Sequence, residues 1–139
     1  MAAPQIQIFP MTNGYLDGTP IGTFFTNDLF VVSAHRPTAG RFNFKSQGVT
    51  APSGSLLLFQ FAGHIVAHAS LLGCSKRDAS SPADSKGFLL LSQVDFRYYT
   101  TQITQHQARV FWPHVIFGSR KWKLDSTQRG AFLSFAGPR

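Results

Sequence analysis

The most apolar segment of the chain, SGSLLLFQFAGHIVAHASLLG at 53–73, contains no Asp, Glu, Lys or Arg. Its most apolar part, Leu56–Phe61, is far shorter than the roughly 20 apolar residues that cross a bilayer as a helix. A glycine in the middle of the segment suits a tight turn, because glycine adopts positive φ without steric cost. The pattern excludes a membrane anchor. It predicts an antiparallel hairpin with strands at 55–61 and 64–72, a turn at Ala62-Gly63 and at least one buried face.

Shorter apolar patterns predict further strands on both sides of this hairpin. Ile6–Phe9 is a short apolar piece, and TFFTNDLFVVSAH at 23–35 is rich in residues that favour strands. GFLLLSQVDFRYY at 87–99 is apolar at its start and alternates towards its end, which is typical of a strand that becomes exposed. The polar stretches 36–54 and 74–86 are predicted to be loops.

Two short helices are predicted near the C-terminus. Thr104 and Gln107 have the spacing of a capping box, so a helix is expected from there to about Trp112, before Pro113.

The second helix is predicted at 126–136, with Asp125 or Ser126 as its N-cap. Ala131, Phe132 and Phe135 are expected to face the core, and the segment between the helices is expected to form a strand or turn. Together the elements predict an α+β fold: a curled, mostly antiparallel sheet or a small pseudo-barrel with short flanking helices. The 139 residues predict a single domain over 1–139.

The charge of the chain points to its partners. Thirteen Lys and Arg face six Asp and Glu, which gives a net charge of +7. Such a balance favours a polyanionic partner such as DNA or RNA, the alternative being a solvated cationic surface. Cys74 is the only cysteine, so no disulfide forms within the chain, and the N-terminal segment lacks the pattern of a signal peptide. We therefore expect a cytoplasmic protein.

Candidate catalytic groups are few. The acids show no useful pairing, and no phosphate-binding glycine loop or nucleophile elbow is present. His64 and His68 would share a face of their strand about 13 Å apart, too far for one ion, so no metal or other cofactor is expected. Ser33 and His35 would also share a face of their strand. This pair leaves a small hydrolase or nuclease open as an alternative, although the sequence offers no acid to orient the two residues.

Basic residues alternate with aromatic residues in the segments 36–45, 97–99 and 120–123. Cations neutralise phosphates, and rings stack on unstacked bases. Trp122, between cations, is the predicted stacking residue, whereas core packing is the alternative for Phe42 and Phe44. The predicted phosphate-binding residues are Arg36, Arg41, Lys45, Arg97, Arg120, Lys121 and Lys123.

The order of these parts resembles the PUA-like superfamily, close to EVE and ASCH domains. The resemblance is carried by Gly63-His64-Ile65-Val66-Ala67-His68-Ala69, similar to a GxIVGxA strand, and by Gln102-Ile103-Thr104, similar to PIT. It covers roughly residues 50–136. His68 and Gln102 depart from the usual residues.

The resemblance implies a pseudo-barrel that binds nucleic acid, as in the modified-base recognition domains of modification-dependent restriction endonucleases. Such domains flip a methylated base into an aromatic pocket, and a covalently linked nuclease domain cuts the DNA. Here it implies double-stranded DNA with a modified base, 5-methylcytosine favoured, and no catalysis by this chain. Asp28 would accept a hydrogen bond from the cytosine amino group. The implied pocket comprises Asn27, Asp28, Phe30, Ser33, His35, Phe42, Asn43, Phe44 and Tyr98.

Other functions remain open at this point. The same fold is compatible with RNA binding, where the 2′-hydroxyl would matter. A protein-interaction domain whose charge only keeps it in solution is a further alternative.

Overall fold

The architecture was obtained as a computed structural model that describes residues 4–11, 41–44, 51–76, 86–92, 95–118 and 122–138. The strand predicted at 23–35 therefore lies outside the described residues. Strands and helices are numbered in chain order. The elements are β1 (Ile6–Pro10), β2 (Arg41–Phe44), β3 (Leu56–Phe61), β4 (His64–Lys76), β5 (Gly87–Leu91), β6 (Arg97–Thr104), α1 (Gln105–Ala108), β7 (Trp122–Leu124), a 3₁₀ turn (Ser126–Gln128) and α2 (Arg129–Ala136).

The predicted hairpin is confirmed as β3 and β4. Ala62 and Gly63 have φ values of 52° and 80°. Positive φ at both central positions is what a two-residue type I′ turn needs, and this turn matches the natural twist of the paired strands. The strand after the turn continues to Lys76, beyond the predicted end, so part of the predicted loop is strand.

The strands form one mixed sheet. Its path is β2-β5-β4-β3-β1-β7, and β6 also pairs with β4. Only the β1–β3 pair is parallel among the described strands. The two ends of the path, β2 and β7, do not pair with each other within the described residues, so this part of the sheet is not closed into a barrel. The mixed sheet with few short helices is compatible with the predicted α+β class and curled, mostly antiparallel sheet.

Strand β4 is long enough to pair with two strands in succession along one edge. Its first half pairs with β6 and its second half with β5, both antiparallel. The backbone N–H of Ser92 donates to Ser70 at 2.9 Å, whereas Leu71 bonds to Ser55 on the edge facing β3. Strands β5 and β6 therefore follow one another along the same edge of β4. The single strand predicted at 87–99 is interrupted after Leu91 and resumes at Arg97.

Two hydrophobic clusters cover the two faces of the sheet. Alternation along β3 sends Leu57 and Phe59 to one face and Leu56 and Leu58 to the other. The phenylalanine cluster contains Phe9, Met11, Phe42, Phe44, Leu57, Phe59, Val66, Ala67, Ala69, Leu71, Leu89 and Leu91. The helix-side cluster contains Ile6, Ile8, Leu56, Leu58, Ile65, Tyr99, Ile103, Ala108, Trp112, Val115, Leu124, Phe132 and Ala136.

A bulge in β4 corrects the expected placement of the two histidines. The register shifts between Ile65 and Ala67 against both neighbouring strands, so Val66 is an extra residue. Ile65 packs in the helix-side cluster and Ala67 in the phenylalanine cluster, although on a regular strand they would share a face. The expectation that His64 and His68 share a face is therefore wrong, because the bulge reverses the alternation between them.

Local capping signals account for both helices. The capping box of Thr104 and Gln107 is confirmed, although α1 is only one turn long and ends before Trp112. Asp125 caps the 3₁₀ turn that leads into α2, as predicted. Phe132 faces the core as expected, but Ala131 is exposed.

The predicted loop at 36–54 contains β2, which pairs with β5 at the edge of the sheet. Its pairing partner lies more than 40 residues further along the chain, so the four-residue pattern RFNF gave no local indication of it. No helix in the part of the chain that the structure describes is long and apolar enough to cross a membrane.

Gly87 is expected to tolerate no side chain, which offers a test of the β2–β5–β4 packing. A Cβ there would lie 2.4 Å from the carbonyl oxygen of Ser75 and 2.5 Å from Cζ of Phe44. Gly87→Ala should therefore lower the free energy of unfolding by about 1–3 kcal/mol in urea denaturation. Gly73→Ala is the matched control, since its Cβ would meet nothing within 4 Å. Equal stability of the two variants would contradict this packing.

Candidate nucleic-acid interface

Most of the predicted binding residues precede the hairpin or surround Trp122. The structure gives backbone positions for Arg41 and Asn43 in β2 and for Trp122 in β7. The predicted residues that lie outside the described part are Asn27, Asp28, Phe30, Ser33, His35, Arg36, Lys45, Arg120 and Lys121.

Phe42 and Phe44 lie in the phenylalanine cluster. The ring of Phe42 packs edge-on against Phe9, with centroids 5.1 Å apart, and tilted against Phe59 at 5.6 Å. Both phenylalanines are at least nine-tenths buried. Both rings thus lie in the core, as the core-packing alternative expects. Their stacking on an extruded base stays a prediction.

Besides Phe42 and Phe44, the predicted residues whose side chains are described are Arg97, Tyr98 and Lys123. Tyr98 is half-buried and packs against the phenylalanine cluster, whereas Arg97 is exposed and lies opposite His68 on β4. Lys123 is exposed on β7. In the strand order β7-β1-β3-β4-β6, three strands lie between the strand of Lys123 and that of Arg97. These two cations therefore lie on strands that do not pair with each other.

A cleft lies next to β7, beside the predicted basic and aromatic segment. Its volume is about 250 Å³. Trp112, Val115 and Leu124 form a buried, apolar floor. The more exposed lining residues are Phe111, Pro113, His114, Lys123 and Asp125. An apolar floor with few polar groups at the rim is the usual composition of a small-ligand site.

Hydrogen bonds hold the segment that forms one wall of the cleft. The indole Nε1 of Trp112 donates to the backbone oxygen of Asp125 at 3.1 Å, which joins the wall to the start of the 3₁₀ turn. Arg109 Nε donates to the backbone oxygen of Val115 at 2.9 Å. The backbone N–H of Phe117 donates to the side chain of Gln105 at 2.7 Å. These bonds fix a segment with little regular structure, so the cleft is formed before any ligand binds.

The carboxylate of Asp125 serves as the N-cap beside the cleft. Its Oδ1 accepts from the backbone N–H of Thr127 at 3.0 Å and its Oδ2 from the Thr127 hydroxyl at 2.8 Å. The backbone and side-chain hydrogen bonds from Thr127 lower the pKa of Asp125 below its ordinary value. The side chain is therefore an ionised acceptor at neutral pH, and its oxygens retain further lone pairs.

A separate polar cluster lies beneath α2, and the sequence did not predict it. His68 Nδ1 forms a hydrogen bond with the Tyr99 hydroxyl. The Ser70 hydroxyl donates to Asp95, whose other carboxylate oxygen accepts from the backbone N–H of Ser70 at 3.3 Å. Arg129, in the first turn of α2, donates to the Ser70 hydroxyl at 3.3 Å and to the carbonyl of Gly54 at 2.7 Å. The cluster joins β4, β6, the β5–β6 break and α2.

The hydrogen bonds of this polar cluster connect elements of the fold. Ser70 bonds directly to the carboxylate and His68 bonds to a phenol, so the geometry is not that of a nucleophile activated by an oriented base. Burial raises the pKa of Tyr99. Burial would also raise the pKa of Asp95, but the hydrogen bonds from Ser70 lower it below its ordinary value. Among the described residues, no group of three or more His, Cys, Asp or Glu could hold a metal ion.

Two polar residues, His68 and Ser70, alternate within an otherwise apolar stretch of β4. Their two-residue spacing was the sequence signal that could have indicated a shared polar face.

None of the known family models, curated proteins or solved structures matches this chain.

The buried histidine predicts a specific loss of stability in mild acid. Burial lowers the pKa of His68 from 6.5 to about 4, with Arg97 and Arg129 adding to the shift and Asp95 opposing it. The unfolded chain takes up this proton near pH 6.5 and the folded chain only near pH 4. The free energy of unfolding should therefore fall across this window, by on the order of 3 kcal/mol in total. Urea denaturation between pH 7 and 4.5 measures the decline.

His68→Gln removes the titrating group but keeps a polar partner for Tyr99, so its stability should depend much less on pH in this window. Exposed His106→Gln is the control and should keep the wild-type decline. Asp95 and Asp125 contribute only at lower pH, because their pKa values are lowered and their stabilisation is lost below the ordinary value. An unchanged decline in His68→Gln would contradict the assignment.

Proposed function

We propose that this chain is a DNA-binding module that recognises a modified base, with 5-methylcytosine as the favoured ligand. The module would serve a modification-dependent restriction endonuclease whose nuclease activity resides in a separate, covalently linked domain. The sequence resemblance to PUA-like domains and the basic composition support this function. The curled α+β sheet is compatible with it.

The observation that carries the proposal is the set of exposed cations that form no ion pair within the described part of the chain. Lys76, Lys86, Arg97 and Lys123 are exposed and form no ion pair with any of the described residues. Asp95 and Asp125, the acids in the described part of the chain, accept hydrogen bonds from hydroxyl groups. The positive charge is thus available to an external polyanion.

Recognition of a base requires more than these cations. Phosphate contacts supply affinity and orientation without information on sequence or modification, whereas contacts to the base edge supply specificity. Extruding a base from the duplex costs a few kcal/mol, and stacking together with edge hydrogen bonds offsets this cost. The chain has to provide a concave site with both kinds of contact.

A DNA titration tests the proposal. Fluorescence anisotropy at about 100 mM salt would compare identical duplexes that contain unmodified cytosine, 5-methylcytosine or N6-methyladenine. We expect 5-methylcytosine to bind at least 10-fold more tightly than cytosine, a difference of about 1.4 kcal/mol. A repeat with a matched RNA duplex and a single-stranded RNA is the control for the kind of nucleic acid.

Equal affinity for all DNA duplexes would refute recognition of a modified base and leave a general phosphate-binding protein. Tighter binding to RNA would favour the RNA-binding alternative. Binding to none of these nucleic acids would show that the charge only keeps the protein in solution.

The salt dependence tests the predicted phosphate contacts separately. Removal of a cation that contacts a phosphate should lower the slope of log K against log salt by about 1. We expect this change for Arg97→Ala and for Lys123→Ala, with similar losses on modified and unmodified duplexes. An unchanged slope in both variants would remove these residues from the interface.

A further inference from the structure

The cleft beside β7 has the shape and chemistry of a site for one planar ring. The buried floor of Trp112, Val115 and Leu124 offers apolar and aromatic surface. Phe111 and Pro113 add further apolar surface. A volume of about 250 Å³ suits a single base rather than a helix or a strand of a partner protein.

The charged groups at the rim restrict which ring fits. Asp125 can only accept hydrogen bonds, and its oxygens have lone pairs beyond those used by Thr127. Lys123 can only donate and is exposed. The matching ligand therefore carries an amino group on the ring and an anionic group near it. Both features are present in a nucleotide of cytosine or adenine.

The 4-amino group of cytosine satisfies this rim, because it donates to a carboxylate, whereas thymine places a carbonyl oxygen at that position. Guanine would have to turn its ring N–H and 2-amino group towards Asp125. A 5-methyl group adds apolar surface that the floor of the cleft can cover. N6-methyladenine retains a single amino hydrogen at this position, so it serves as a competitor in the test.

The cleft is also prepared for binding in the absence of a ligand. The bond from the Trp112 indole to the backbone of Asp125 joins floor and rim, and the N-cap bonds orient the carboxylate. Binding would therefore require little ordering of side chains, which is one of the main costs of forming a complex.

We infer that this cleft is the pocket that receives the extruded 5-methylcytosine, with Asp125 accepting from its 4-amino group and Lys123 beside a phosphate of the same nucleotide. The inference rests on the proposed function. It moves the amino-accepting role from Asp28, which the sequence resemblance implied, to Asp125.

The test compares Asp125→Asn with Asp28→Asn, which changes the charge equally. Asn is as good an N-cap as Asp, so Asp125→Asn should keep the helix start, as thermal denaturation would verify. We expect Asp125→Asn to weaken binding of the 5-methylcytosine duplex at least 10-fold, because the carboxylate that accepts from the 4-amino group is lost. Asp28→Asn should bind this duplex with the wild-type affinity.

Wild-type affinity of Asp125→Asn for the 5-methylcytosine duplex, or a loss of that affinity in Asp28→Asn alone, would overturn the inference and leave the proposed function standing. A wild-type protein without any preference for 5-methylcytosine would refute the proposed function and the inference with it. The two failures are therefore distinguishable in one set of titrations.

A second measurement does not depend on duplex binding. In a ¹⁵N-labelled protein, the Trp112 indole N–H reports on the cleft through its bond to Asp125, and Trp122→Phe assigns its signal. Titration with 5-methyl-2′-deoxycytidine monophosphate should shift this signal and the backbone amides of Lys123 and Leu124. Shifts confined to residues outside the cleft would overturn the inference.

Discussion

The burial of both faces of the β3–β4 hairpin is the constraint on which the rest of the structure depends. Its side chains are apolar on both sides, so each face needs its own cover. Strands β2 and β5 help to cover one face, and the C-terminal helices cover the other. Pairing on both edges of β4 satisfies its backbone polar groups, which would otherwise be buried without partners. Because β4 is long, it pairs first with β6 and then with β5 along the same edge.

Features with local causes could be predicted from the sequence. The turn at Ala62-Gly63 depends on two adjacent residues, and the capping box of Thr104 and Gln107 depends on a four-residue segment. Both were therefore visible without any knowledge of the fold. The bulge at Val66 was not, because it becomes apparent only when the register of β4 is compared with those of its neighbours.

The candidate site shows the same distinction between local and long-range causes. Asp125 was identified as an N-cap from its position before a helix, but its place at the rim of a cleft depends on Trp112, 13 residues earlier. Likewise, Phe42 and Phe44 occur among cations in the sequence, while the pairing of β2 with β5 directs both rings into the core. Proximity along the chain was thus a poor guide to which aromatic rings line a concave surface.

The double use of Asp125 has an energetic consequence for the proposed recognition. A carboxylate on a flexible side chain would lose rotamer freedom on binding a base, which weakens the net effect of the new hydrogen bond. The N-cap bonds to Thr127 have already removed that freedom in the folded protein. They also lower the pKa of this carboxylate, which is ionised at neutral pH even at its ordinary pKa. An ionised acceptor beside an apolar floor would favour an amino-bearing methylated ring on two independent grounds: the hydrogen bond distinguishes it from thymine, and the covered methyl distinguishes it from cytosine.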